Sequence, residues 1–228
     1  MVIRGFAKIN ISLHIIGKRE DGYHLLESQM QSLPDLYDVV EVVESDKIEI
    51  SCSDGSLPCD ESNLVYKALR LIGKTAKVHI EKHIPIAAGL AGGSADAAAV
   101  LYAFLGATDE AFKYAARLGA DVPFSLLAIK KQGRAAAIAT GIGTELKEIE
   151  PVKGKIITRT PNISVSTPLV YAEYDRMPID TGGNDLEPAA IRLFPEIENT
   201  LNELRKTNAK LVRQSGSGPT CFAIYEED

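Results

Sequence analysis

The chain has 228 residues, 45% of them hydrophobic, and carries a formal net charge of −6. That length exceeds a modal domain of about 100–150 residues, and the apolar fraction supplies a core that a disordered chain lacks. The acidic balance argues against non-specific nucleic-acid binding, which needs excess basic charge, but leaves room for a local basic site for a small anion.

Three cysteines (Cys52, Cys59 and Cys221) and four histidines (His14, His24, His79 and His83) show no metal-ligand spacing, so no structural metal and a reducing compartment are expected. Without a signal-peptide pattern or a run of about 18 apolar residues, the expectation is a cytoplasmic protein with no membrane partner.

In chain order, Ile9, Ile11, Leu13 and Ile15 recur at every second position, the period of a half-buried strand. Residues 17–22 form a polar turn. Residues 37–44 and 47–51 read as two further strands, and 51–61, with Gly55 and Pro58, as a loop. Asn63 caps a helix running to about Ile72. Val78 and Ile80 alternate in a strand that delivers the chain to Pro85–Phe104, around which the rest is organised. The first half of that stretch is a loop carrying Gly89, Gly92 and Gly93; from Ser94 it is alanine-rich and helical. A loop of small residues running into a helix N-terminus presents unpaired N–H groups and the positive end of a dipole, an anion site. A tight strand-to-helix turn is the other reading of the same residues.

Thr108 caps a helix ending at Gly119, and residues 122–129 and 134–140 read as strands. Pro151 and Gly154 interrupt the pattern. Beyond them come a strand over 155–159, a helix from near Pro168, and one or two helices over 185–206 broken around Pro195. Strands at 209–213 and 220–225 follow, joined by a turn. The expected fold class is α+β in two lobes, 1–150 and 151–228.

Five places besides the glycine loop could carry chemistry. Lys8 is either an exposed strand residue or a partner for phosphate or carboxylate. Asp121, at the seam between a helix and an expected strand, is either a turn or cap residue or a carboxylate that takes a hydroxyl proton. Asp21-Gly22-Tyr23-His24 is an ordinary turn, or it offers a stacking face and hydrogen bonds to a planar heterocycle. Tyr171 is core, or a second aromatic face. Residues 215–218 (Ser-Gly-Ser-Gly) suit a hairpin or an anion nest. No lysine follows Gly93, so the Gly-x4-Gly-Lys-Ser/Thr phosphate loop is excluded, as are the protein-kinase motifs and the dinucleotide Gly-x-Gly-x-x-Gly spacing.

Five clusters occur together and in order: Ala7-Lys-Ile-Asn10, Asp21-Gly-Tyr-His24, Pro85 to Ala98, Leu118-Gly-Ala-Asp-Val-Pro123 and Ser215-Gly-Ser-Gly218. With them the chain, from about residue 3 to 226, resembles the small-molecule kinases of the galactokinase, homoserine kinase, mevalonate kinase and phosphomevalonate kinase superfamily. Its Asp-Gly-Tyr-His and Leu-Gly-Ala-Asp-Val-Pro clusters resemble the branch that phosphorylates a cytidine-diphosphate-linked methylerythritol. The resemblance implies an N-terminal lobe like ribosomal protein S5 domain 2, a ferredoxin-like C-terminal lobe, and ATP with Mg²⁺ as cofactors.

It also implies that Pro85, Ile86, Ala87, Ala88, Gly89, Leu90, Ala91, Gly92, Gly93, Ser94 and Ala95 wrap the ATP phosphates, with Gly216–Gly218 helping to close that site. Lys8 and Asp121 would be the catalytic pair. Tyr23 and Tyr171 would sandwich the cytosine, His24 would bond its edge, and Asn10 would contact the substrate near its reacting end. For Asn184-Asp-Leu-Glu187 only a structural role is expected. The chain is shorter than typical members around residues 51–77 and 104–110, has Ala91 where a glycine is usual, and has Ala95 where a serine is usual. Ser94 would then cover the missing hydroxyl. A homoserine, mevalonate or sugar acceptor is the alternative activity, and a non-catalytic nucleotide-binding protein a third reading.

Overall fold

The computed structural model describes residues 1–226. The chain starts with β1 (Val2–Asn10) and resumes after a break as β2 (His14–Lys18), so the single strand expected through residues 9–16 is two. The break has a hydrogen-bonding cause: Ile11 and Ser12 both donate to the Gln29 carbonyl, whereas Leu13 turns away and donates to that of Gly183.

Both strands pair antiparallel with β3 (His24–Glu44), a 21-residue strand of which only residues 37–44 were expected. Pro34 hid the remainder. It sits where the register of β1 jumps from Phe6–Tyr37 to Ala7–Leu33, a bulge that tolerates a residue without a ladder N–H.

β4 (Glu49–Cys52), α1 (Leu64–Leu71) and β5 (Ala76–Glu81) follow. The Asn63 Oδ1 accepts the Val65 N–H at 2.8 Å, the cap its side chain announces. α2 (Gly92–Leu105) begins two residues ahead of Ser94 and packs on β1. Their approach is close: a Cβ at Gly5 would lie 2.9 Å from the Ala95 carbonyl oxygen. α3 (Asp109–Leu118) is capped by Thr108.

Residues 122–129, expected as a strand, belong to α4 (Val122–Lys130). Eight of its nine residues are buried, so it shows no polar face, and a short helix apolar on all sides has no 3.6-residue stripe to read. β6 (Ala136–Thr140) and β7 (Glu145–Glu148), the latter not expected, complete a seven-stranded sheet ordered β4-β5-β3-β6-β7, with β1 and β2 also on β3.

The rest of the chain forms β8 (Lys155–Arg159), α5 (Thr167–Arg176), α6 (Glu187–Leu193), α7 (Glu196–Arg205), β9 (Leu211–Gln214) and β10 (Cys221–Tyr225). The three strands form an antiparallel sheet ordered β8-β10-β9. The last two helices are separated at Phe194-Pro195, as the proline requires. A core of its own gathers Val170, Leu186, Ile197 and Leu201. Another joins the two parts: Ala7 and Ile9 of β1, Leu90 and Ala95, and Phe222 and Ile224 of β10 pack together. Among the described residues no helix is long and apolar enough to cross a membrane.

Candidate active site

β1, the glycine loop, the turn after β2, α5 and the 216–217 turn surround one cavity of about 930 Å³. Lys8 ends up there because β1 carries it between two backbone anchors: its N–H donates to the Leu90 carbonyl at 3.0 Å, and Asn10, two residues on, donates its N–H to the Ser215 Oγ at 3.1 Å. The ammonium donates to the Asn10 Oδ1 at 2.8 Å and the Gly89 carbonyl at 3.3 Å, and lies 3.4 Å from the Asp121 Oδ2. Asn10 is held in turn, its Nδ2 donating to the Ser28 Oγ, which donates to the Ser12 carbonyl. The asparagine expected to touch substrate therefore also aims the lysine.

Asp121 stands at the N-cap of α4 and makes no side-chain cap bond. Its carboxylate faces the cavity beside Lys8, which removes the cap reading of this residue.

The glycine loop is shaped by its neighbours. A Cβ at Gly89, whose φ is +76°, would lie 2.5 Å from the Gly218 carbonyl oxygen, so only glycine fits there. Ala87 and Ala91 also have positive φ, +56° and +60°, where an L-residue costs about 1–2 kcal/mol. Ala91 is the N-cap of α2 and has no side chain with which to satisfy the N–H groups of the first turn. Those donors are open to an anion. Pro85 through Ser94 line the cavity. Ala95 does not: it is fully buried against Ala7 and Ile9 in the joining core, because the helix has already turned its side chain toward β1. The expectation of a cavity-facing residue 95 is corrected, and Ser94 is the one hydroxyl of residues 85–95 that lines the cavity.

Beneath the loop lies a buried charge cluster that the sequence reading missed. The Lys82 Nζ donates to the Asp38 Oδ2 and, at 3.0 Å, to the Asp96 Oδ2, and its side chain is 4% exposed. The Asp38 Oδ1 accepts the N–H groups of His83 at 2.7 Å and Ile84 at 2.8 Å. One carboxylate on β3 thus fixes the lead-in to the loop, and the lysine ties it to the helix that leaves the loop. Burial works against the Lys82 charge, but the Asp96 charge and the Asp38 bond outweigh it and hold the ammonium above the usual lysine value. Burial raises the Asp96 carboxyl to about 7 despite the pull of Lys82, and its Oδ1 has no partner. An aspartate inside the alanine run of α2 and another inside an apolar stretch of β3 were the available signals.

At the opposite end, Tyr23 is 61% exposed on the rim. The His24 ring stacks on Tyr171 with centroids 4.7 Å apart and planes 30° apart, and meets Tyr174 edge-on at 6.2 Å. The protein ring that stacks on Tyr171 is thus His24, while Tyr23 stands apart on the rim. At 4.7 Å the rings are offset, which leaves part of that Tyr171 face uncovered. Burial, then the Asp121 charge, pushes the Tyr171 phenol up to about 12. The Asp175 Oδ1 lies 2.7 Å from the His24 Nε2, and its Oδ2 accepts from the Lys18 Nζ at 2.6 Å; the Lys18 bond is the largest cause holding this carboxyl below its usual value.

Asn184-Asp-Leu-Glu187 binds the two parts of the chain. The Asn184 Nδ2 donates to the carbonyls of Gln214 and Gly216, the Asp185 Oδ2 accepts the Ile15 N–H, and the Glu187 Oε2 accepts that of Gln214.

Family models described as GHMP kinases N terminal domain and GHMP kinases C terminal match residues 63–128 and 176–228. A 4-diphosphocytidyl-2-C-methyl-D-erythritol kinase of Clostridium acetobutylicum is 34% identical over 99% of this chain and 91% of its own length. That match runs over 262 positions, more than this chain's 228 residues, so the relative carries insertions. A crystal structure of 4-(cytidine 5'-diphospho)-2C-methyl-D-erythritol kinase superposes with a TM-score of 0.76 at 32% identity, covering 99% of this chain and 90% of that one. The homoserine kinase of Cytophaga hutchinsonii, at 16% identity and a TM-score of 0.65 over 100% of this chain and 86% of its own, shares the fold. By its full-length likeness to these kinases, the chain belongs to the 4-diphosphocytidyl-2-C-methyl-D-erythritol kinase family of the GHMP kinases.

Proposed function

We propose that this protein transfers the terminal phosphoryl group of ATP to the 2-hydroxyl of 4-diphosphocytidyl-2-C-methyl-D-erythritol, in the non-mevalonate route to isopentenyl diphosphate. The observation that carries this is the Lys8–Asp121 pair, set in one cavity between a loop with open helix N–H groups and an end lined by Tyr23, His24 and Tyr171.

The reaction asks mainly for positioning and charge neutralisation. The N–H groups of residues 92–94 hold the nucleotide phosphates, with Gly216 and Ser217 facing them across the cavity. Asp121 accepts the hydroxyl proton as the acceptor oxygen attacks the γ-phosphorus and ADP leaves. Lys8, steadied by Asn10, holds Asp121 and offsets the charge that builds on the transferring group. The aromatic end fixes the base, so the hydroxyl arrives with its orientation already restricted. Gly89 lets the loop pack against the Gly218 carbonyl, which keeps the 216–217 turn and the loop on one cavity. The Ser94 hydroxyl, an oxygen donor at the phosphate end, would hold Mg²⁺ together with phosphate oxygens and water. Bound there, the cation would neutralise phosphate charge.

ADP release from purified protein given ATP, Mg²⁺ and the cytidine substrate tests the assignment, and release no faster than background overturns it. Asp121→Asn should lower kcat by about 10²-fold or more if the carboxylate takes the proton. A near-normal rate would remove that role.

A further inference from the structure

Cytosine and uracil differ most sharply at the exocyclic group on ring position 4, an amine that donates in one and a carbonyl that accepts in the other. A neutral imidazole can tell them apart only if its proton is fixed on one nitrogen, because each tautomer offers one donor and one acceptor. In this protein one ring nitrogen of His24 is taken. Nε2 lies 2.7 Å from the Asp175 Oδ1, and a carboxylate can only accept, so Nε2 carries the proton. The other Asp175 oxygen is occupied by the Lys18 ammonium, which already balances the carboxylate charge.

The His24 Nδ1 has no protein partner among the described residues and is not among the buried orphan atoms, while the ring lines the cavity. That lone pair therefore opens onto the cavity. The ring cannot readily swing, being held at its edge by Asp175, across its face by Tyr171 and end-on by Tyr174.

We propose that Asp175 sets base specificity in this kinase: by taking the Nε2 proton of His24 it leaves Nδ1 as an acceptor that pairs with the 4-amino group of cytosine and meets the 4-carbonyl of uracil as a second acceptor. Asp175 acts through His24 and is a positioning residue. The inference rests on the kinase reading above. The sequence offered no signal for Asp175, since it lies 151 residues from His24 on an otherwise ordinary helix.

The test compares kcat/KM for the cytidine-diphosphate substrate and its uridine-diphosphate counterpart at pH 8, above the ordinary histidine range, in the wild type, Asp175→Ala and Asp175→Asn. The wild type should favour the cytidine form. Asp175→Ala should lose about three- to tenfold of that preference through the acceptor KM, the scale of one neutral hydrogen bond, with KM for ATP unchanged. Asp175→Asn should restore most of it, because its Oδ1 accepts the same proton.

Full preference in the alanine variant, or an equal loss on both acceptors, overturns the proposal. In the unsubstituted protein, ¹⁵N chemical shifts of His24 should show Nδ1 unprotonated, and a protonated Nδ1 overturns the proposal even if the variants do not fold. A wild type that turns over neither acceptor defeats the kinase reading. Turnover with a preference indifferent to Asp175 defeats only this inference.

Discussion

The two ends of the cavity use a similar set of groups in opposite surroundings. Beneath the glycine loop, Lys82 sits between two carboxylates, and the Lys82, Asp38 and Asp96 side chains are 4%, 0% and 2% exposed. At the aromatic end, Asp175 sits between Lys18 and His24, with Asp175 36% and Lys18 47% exposed. The buried cluster holds backbone: it fixes the His83 and Ile84 N–H groups and the first turns of α2, so the loop presents its donors in one arrangement. The exposed cluster holds one ring. Burying charge costs desolvation that excellent geometry must offset, whereas an exposed pair contributes little to stability and orients at small cost. Disturbing the first should therefore damage the fold, and disturbing the second should damage recognition.

The largest effect should come from Lys82→Met, which leaves Asp38 and Asp96 buried without their cation. Loss of one partner of a buried pair costs about 3–5 kcal/mol, so a urea titration should show a clear fall in the midpoint. If the midpoint stays put, the cluster is not holding the loop.

The same cluster makes a pH-dependent contribution of known sign. The folded Asp96 carboxyl titrates at about 7, above the ordinary carboxylate value, so the folded state binds this proton more tightly than the unfolded one. Its contribution is fully present in acid, below the unfolded value, and is lost as pH rises through about 7. Asp96→Asn should flatten the decline of Tm between pH 5 and 8 relative to the wild type, with Lys82 and Asp38 still in place. Parallel profiles would contradict the raised value.

At the exposed end, Tyr23→Ala should raise the acceptor KM roughly tenfold, the scale of one lost base-stacking face, and leave Tm where it was. A fall in Tm without a change in KM would move Tyr23 from recognition to structure. The smallest effect is expected at Ala91, held at φ +60°. Ala91→Gly relieves the left-handed strain but loosens the unfolded chain, for a net stabilisation of about 0.5–1 kcal/mol readable as a rise in Tm.

What the sequence made legible follows the range of the interactions. Asn63 and Thr108 announced their helices because a cap is a local event, readable within four residues. The glycine loop, Lys8 and Asp121 were legible as motifs. α4 was not, because a helix buried on eight of nine residues has no polar face to set its period. Nor was the first half of β3, where Pro34 argued against a strand and only the bulge opposite β1 made room for it. Lys82, Asp38 and Asp96 each look like a surface charge, and their meeting depends on β3, β5 and α2 being assembled. Ala95 was misplaced by one step of helical geometry, since starting α2 at Gly92 turns residue 95 from the cavity to the core.

The joining core has a consequence for how the enzyme comes into being. Phe222 and Ile224 of β10 pack on Ala7 and Ile9 of β1, and Ser215 receives the Asn10 N–H beside Lys8. Synthesis reaches Asn10 205 residues before Ser215, so the surroundings of Lys8 stay incomplete until β10 has followed. A nascent chain reaching only through β7 would have β1 and the glycine loop but not the wall against which they close. Activity should therefore arise only once β10 has been made and has packed on β1.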